Sequence, residues 1–349
     1  MKKLFVFAVA ALAMAACSSN DEGTNANVPK NDKIELTTGV TTRATSQTLQ
    51  ATQVANGQYV WINFTTDCAA TAINQTGASS SAAVGSSYWN TDNTTPAANV
   101  QQASAVYVAN GSGNLSSTTL PVKWPKTAAT AGAEIVNIEA WAPVASTATG
   151  PLTNFTVQAD QTTEANYLAS DYIYGTKTGV AFADISSPVM VKFDHMLAKI
   201  NVNLFAIDPT IVLEGSKVEF CTDVINSGTP AGASPLCLKG DITSGAISVD
   251  NTGAKGAITM TSYLETACTC SAIIIPQSLS ATSTATIELF KVTLPDGTTT
   301  KTYELTVPKN FEAKKEYTYN ITISDGQTLV LSEQINDWTV ATPESVIAN

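Results

Sequence analysis

Pro188-Val189-Met190-Val191-Lys192-Phe193-Asp194-His195-Met196-Leu197-Ala198-Lys199-Ile200-Asn201-Val202-Asn203-Leu204 is the longest strand signal in the chain. Val189, Val191 and Phe193 share odd positions, whereas Ala198, Ile200, Val202 and Leu204 share even ones. Side chains alternate between the two faces of a strand. The buried set therefore cannot change parity without an extra residue, and a bulge or kink is predicted near Leu197. Such a bend lets one strand serve two sheets, or leave one domain and enter another. A domain boundary is placed here, at 187/188.

Downstream, Phe290, Val292 and Leu294 lead into Pro295-Asp296-Gly297, and Tyr303, Leu305 and Val307 return from it. Asp-Gly between alternating apolar runs signals a hairpin. Tyr317, Tyr319, Ile321 and Ile323 form another strand, Asp325-Gly326 turns into Leu329-Val330-Leu331, and the segment Ile335 to Val340 is apolar enough to need a partner. Upstream, strands are read at Ile34 to Val40, Tyr59 to Phe64, Ala105 to Val108, Ile135 to Trp141 and Asp171 to Gly175. Residues 69 to 104 read as loops with short strands. No long helix shows an apolar stripe. The fold class is all-β, with two tandem β-sandwiches, 44–187 and 188–349.

The amino terminus is an address. Met1-Lys2-Lys3 precedes an apolar run from Leu4 to Ala16, the layout of a secretory signal and too short for the roughly twenty residues of a spanning helix. It closes on Ala15-Ala16-Cys17, which resembles a lipobox, so 1–16 is read as a signal peptide and Cys17 as the lipidated residue. Residues 17–33 are polar and read as a flexible tether, with acyl chains holding the precursor to a membrane.

Composition narrows the function classes. The formal charge is −11, or −13 once Lys2 and Lys3 leave with the signal, and such a surface repels nucleic acid. One histidine, His195, rules out a multi-histidine zinc site, and no nucleophile elbow, phosphate loop or paired-carboxylate motif is present. No enzyme activity and no cofactor is expected, and His195 reads as a structural residue near the bulge. Beyond Cys17 the cysteines are Cys68, Cys221, Cys237, Cys268 and Cys270, an odd number in a compartment that permits disulfides. Cys221 and Cys237, flanking a Gly/Pro-rich loop, are a candidate bridge.

Several segments together resemble the fimbrillins, lipoprotein pilins assembled by donor-strand exchange. Phe193-Asp194-His195-Met196-Leu197-Ala198-Lys199-Ile200 is similar to the family's F-x-H-x-L-A-K strand, and Ile138-Glu139-Ala140-Trp141-Ala142-Pro143 to its A-Y-x-P segment, with Trp141 for tyrosine. Phe155 to Gln161, followed by Ser170-Asp171-Tyr172, fits the next block. Phe311-Glu312-Ala313-Lys314-Lys315-Glu316-Tyr317 resembles the f-x-a-G-K-x-Y strand, with Lys314 in place of glycine, and Ile335-Asn336-Asp337-Trp338 matches the closing I-x-x-W.

The resemblance implies transthyretin-like sandwiches and a maturation route. The precursor reaches the outer membrane and cell surface, and an arginine-specific protease cuts it near its start. Thr42-Arg43-Ala44-Thr45 matches that site, and Arg43 is the sole arginine of the chain. Cutting between Arg43 and Ala44 removes 34–43 as a pro-strand and opens a groove, which a strand from another subunit fills by β-augmentation. The donor nominated is 335–346, with Ile335, Trp338, Val340 and Val346 as its apolar contacts. The partners implied are other fimbrial subunits, as a homopolymer or with minor pilins. The alternatives are a tip adhesin binding host or bacterial surface ligands, with Tyr88 and Trp89 as contacts, and a lipid-retaining anchor or carbohydrate-binding surface lipoprotein.

Overall fold

The computed structural model describes residues 33–41, 53–66, 89, 101–125, 135–181, 188–261, 269–282, 284–324 and 330–338, within a compact unit spanning Lys33–Asn349. In the first half the strands are β1 (Leu36–Thr41), β2 (Tyr59–Thr66), β3 (Gln101–Ala109), β4 (Asn114–Ser117), β5 (Ile135–Ala142), β6 (Asn154–Thr156), β7 (Ile173–Ala181) and β8 (Val189–His195), with one short helix, α1 (Glu164–Ala169). The second half holds β9 (Ala198–Ala206), β10 (Lys217–Asn226), β11 (Thr229–Pro230), β12 (Lys239–Thr243), β13 (Ala246–Val249), β14 (Ile258–Thr259) and β15 (Thr269–Ile274). It closes with β16 (Gln277–Leu279), β17 (Ala285–Thr293), β18 (Thr300–Leu305), β19 (Lys309–Phe311), β20 (Lys315–Ile323) and β21 (Val330–Asp337).

The parity change marks a real switch of sheet. β8 buries Val189, Val191 and Phe193, stops at His195, and β9 resumes at Ala198 burying Ala198, Ile200, Val202 and Leu204. The switch therefore falls at Met196–Leu197. A division at 187/188 would cut β8 away from β7 and β1, to which it is hydrogen-bonded.

Seven strands in the order β1-β4-β3-β2-β5-β7-β8 close into a barrel, which among the described residues has no free edge. One core fills it, including Ile34, Leu36, Val60, Ile62, Phe64, Val191 and Phe193. Three of its strands, β2, β3 and β5, also bury residues on their outer side. Val60 and Ile62 point into the barrel, whereas Trp61, between them, joins the second core with Trp141 and Val106.

That second core lies chiefly among the sheets β11-β10-β17-β18 and β15-β9-β20-β21. Phe220 on β10 and Phe290 on β17 meet at 5.5 Å between ring centroids, and Phe290 meets Tyr319 of β20 edge-on at 4.9 Å. A loop from the first half crosses over to this core. Its β6 adds to β12 in a third sheet, β13-β12-β6, and α1 buries Tyr167.

Gly175 on β7 faces β8 with no room for a side chain. A Cβ there would stand 2.6 Å from the Lys192 carbonyl oxygen and 3.0 Å from a Val191 methyl. Gly175→Val should push β7 off β8 and cost about 1–3 kcal/mol, measured as a lower urea midpoint. An unchanged midpoint would mean that the barrel yields at this seam.

Cys221 and Cys237 are buried free thiols, which corrects the candidate Cys221–Cys237 bridge, and Cys270 is buried as well. Cys221 sits in the irregular stretch of β10, at φ +57°, with Ser234 donating to its carbonyl. Burial pushes its thiol up to about 12. The backbone of Cys237 is instead clamped on both sides by the Gln277 amide, at 2.9 Å each. Cys17, Cys68 and Cys268 lie outside the described residues.

Candidate strand-exchange site

β1 is the strand on which the closed barrel depends. It alternates cleanly, with Ile34, Leu36 and Thr38 buried and Glu35 exposed. On one side it runs parallel to β8 in continuous register, from Leu36 opposite Val189 to Thr41 opposite Asp194, and the Val189 N–H donates to the Glu35 carbonyl at 2.8 Å. On the other side it meets β4 antiparallel at Leu36–Leu115 and Thr37–Asn114. Two further bonds extend that side, Ile34 N–H to the Val122 carbonyl at 2.9 Å and Thr38 N–H to the Gly113 carbonyl at 2.7 Å.

The pairing with β8 is parallel, so no tight turn holds β1 in place. What holds it is this double ladder and burial of Ile34 and Leu36, worth roughly 1.5–3 kcal/mol each at most. Without β1, β4 and β8 each present an unpaired edge, with an apolar slot between them. Arg43 is two residues beyond the last residue of β1; Arg43 and Ala44 themselves lie outside the described residues.

The end of the slot nearest Arg43 is where the C-terminal segment is tied down. Asp194, opposite Thr41, pairs with Lys314 Nζ at 3.0 Å, and the Lys314 carbonyl accepts the Trp338 N–H at 2.6 Å. The Trp338 indole is 5% exposed and stacks on His195, 4.0 Å between centroids and 8° between planes. His195 Nδ1 and the buried Asp171 Oδ1 lie 2.8 Å apart, while Nε2 is enclosed without a partner. Among the described residues no group of three or more His, Cys, Asp or Glu side chains is placed to hold a metal ion.

The expected donor is divided by this arrangement. Ile335, half-exposed, belongs to β21, which pairs antiparallel with β20 from Lys315–Asp337 to Thr322–Val330. Trp338 is spent on His195. Val340 and Val346 lie outside the described residues, as does Cys17. Of the two aromatics suggested as ligand contacts, Tyr88 is also outside them. Trp89 is fully buried and donates its indole N–H to the Lys123 carbonyl at 2.9 Å, so it is a core residue. No short sequence pattern distinguishes a buried loop tryptophan from an exposed one.

Lys314 occupies the position where the resemblance had glycine, and its φ is +62°. A left-handed conformation costs a non-glycine residue roughly 1–2 kcal/mol. Its partly exposed ion pair with Asp194 offsets this by about 0–1 kcal/mol at most. Lys314→Gly should therefore unfold no earlier than the parent in thermal denaturation, whereas Lys314→Ala, which keeps the strain and loses the pair, should unfold earlier. The reverse order would mean that the ion pair outweighs the strain.

Residues 23–338 match the model of a family described as fimbrillin-like. The chain is similar in fold to a candidate cell adhesion protein from Bacteroides ovatus, with 19% identity, a TM-score of 0.57, and coverage of 89% of this chain and 99% of that one. A second candidate cell adhesion protein, from Bacteroides uniformis, has 17% identity and a TM-score of 0.53, covering 89% of this chain and all of its own. No curated protein matches the chain.

Proposed function

Because this chain belongs to the fimbrillin-like family, we propose that it is a surface fimbrial subunit, exported as a lipoprotein precursor, cut after Arg43 and assembled by strand exchange. The observation that carries the reading is the position of β1. The only arginine in the sequence follows, by two residues, the one strand that is laddered to both β4 and β8. A single cut there severs Cys17, its lipid and β1 together from the rest of the chain, and their release leaves a slot shaped for a strand. The open slot accepts a strand from a neighbour by β-augmentation. Each contact is head-to-tail and does not close on itself, so repetition gives a fibre.

The donor in this reading begins beyond Trp338. Ile335 and Trp338 are committed to β20 and His195, which leaves the part of the nominated segment that holds Val340 and Val346. The partners are other fimbrial subunits, an arginine-specific protease and, for the precursor, the outer membrane.

The test is the state of the protein taken from the cell surface. N-terminal sequencing should read Ala44, the intact mass should lack acyl groups, and the material should be polymeric. Subunits that begin at Ala44 but stay monomeric would sink the assembly step. The extent to which β1 is bound on both sides favours one second reading, an anchor or stand-alone lipoprotein that keeps β1 and its lipid. An acylated Cys17 on an uncut chain would select it.

A further inference from the structure

The slot that β1 occupies also dictates the sequence of anything that replaces it. Three inward positions follow one another at two-residue spacing, held by Ile34, Leu36 and Thr38, with 2%, 3% and 4% exposure. The first two are lined by the barrel core, so they take aliphatic side chains. At the third, the Thr38 hydroxyl faces the Gly113 carbonyl at 3.5 Å, so the position suits a small residue with a hydroxyl. A charge at any of the three would be buried without a partner. Backbone N–H groups are required at the first and third positions, for the Val122 and Gly113 carbonyls, which excludes proline there. An occupant must read aliphatic-x-aliphatic-x-Thr or Ser.

Residues 339–349, Thr-Val-Ala-Thr-Pro-Glu-Ser-Val-Ile-Ala-Asn, do not offer that pattern. No two of Val340, Val346 and Ile347 are two residues apart. Seating Val340 in the second position calls for Trp338 in the first, and Trp338 is stacked on His195. Seating Val346 in the second position buries Glu344 in the first. Ile347 in the second brings Ser345 and Asn349 into its neighbours, and Val340 in the first buries Glu344 in the third. Resting on the strand-exchange reading above, we infer that the slot of β1 is filled by an aliphatic-x-aliphatic-x-Thr/Ser strand of a neighbouring subunit, and that residues 339–349 of a second copy do not fill it.

Competition for the slot tests this. The chain still carrying β1 is nicked after Arg43, and the nicked protein, with its excised segment still bound, is challenged with excess synthetic peptides. Release of the segment is followed by size exclusion and mass spectrometry. A peptide of residues 33–41 should displace it. The peptide 339–349 should compete about ten- to hundred-fold more weakly, the loss expected from one unfilled aliphatic position. The same peptide carrying Thr342→Leu, Pro343→Thr and Glu344→Thr, which creates the required pattern after Val340, should regain displacement. Equal competition by unmodified 339–349 and 33–41 would overturn the inference and leave strand exchange standing. Failure of 33–41 itself to displace the segment would overturn strand exchange, and the inference with it.

Discussion

Leu36→Ala in the uncut chain is expected to lower the unfolding free energy by about 2–5 kcal/mol, read as a clear fall in the urea midpoint. Leu36 is 3% exposed and sits in the barrel core, in the short stretch where β1 is paired on both sides. The slot walls belong to β4 and β8, which are fixed by their own ladders to β3 and β7, so they cannot collapse freely onto a smaller side chain. The cavity term should therefore survive. Thr37→Ala, one residue on and only half-buried, should stay within about 0.5 kcal/mol. In the chain nicked after Arg43, the same Leu36→Ala should speed loss of the excised segment, since only the two ladders and the burial of β1 then retain it. Equal midpoints for Leu36→Ala and the parent would mean that the barrel is stable open, and that β1 is an accessory rather than its closing strand.

Much of this architecture is legible in local patterns. The parity change between Phe193 and Ala198 locates the switch of sheet, because a strand cannot move its buried face without an irregularity. Alternation at Tyr317, Tyr319, Ile321 and Ile323 marks β20, and Asp296-Gly297 marks the turn between β17 and β18, where the Asp296 carboxylate accepts from the Thr298 and Thr299 N–H groups. Pairings between distant segments are not legible in this way. Ile34 to Val40 reads as a strand, but nothing local says that it runs parallel to β8. The same holds for β9 beside β20 and for β6 beside β12. Of the candidate site, Arg43 is visible as the sole arginine, and its neighbour strand as an alternation. The slot itself, its three inward positions and its two ladders exist only once those distant segments meet. Helix α1 escapes a search for long amphipathic stripes because it has only six residues and buries a single tyrosine.

Trp338→Ala is expected to cost about 3–5 kcal/mol and to act locally on β21. β21 is an edge strand whose described side chains are largely exposed from Ser332 to Ile335, so little apolar burial holds its body. It is held by its ladder to β20, by ion pairs of Glu333 with Lys309 and of Asp337 with Lys315, and by Trp338 at its end. The more exposed of the two pairs, Lys315–Asp337, contributes little. The indole contributes most, because it is buried against His195 and its backbone N–H is bonded to Lys314. Hydrogen exchange separates this from a general loss of core packing. Trp338→Ala should speed exchange of the β21 amides more than those of β9 and β15, whereas Trp338→Phe, which can still stack, should recover most of the protection. In the proposed strand-exchange reading the consequence reaches assembly, because Trp338 is there the root from which a donor segment would leave its own subunit. A mobile root lets that segment wander and raises the entropy lost on docking. Unchanged exchange in β21 after Trp338→Ala would show that the ladder alone holds the strand, and the root of the donor would then lie upstream of Trp338.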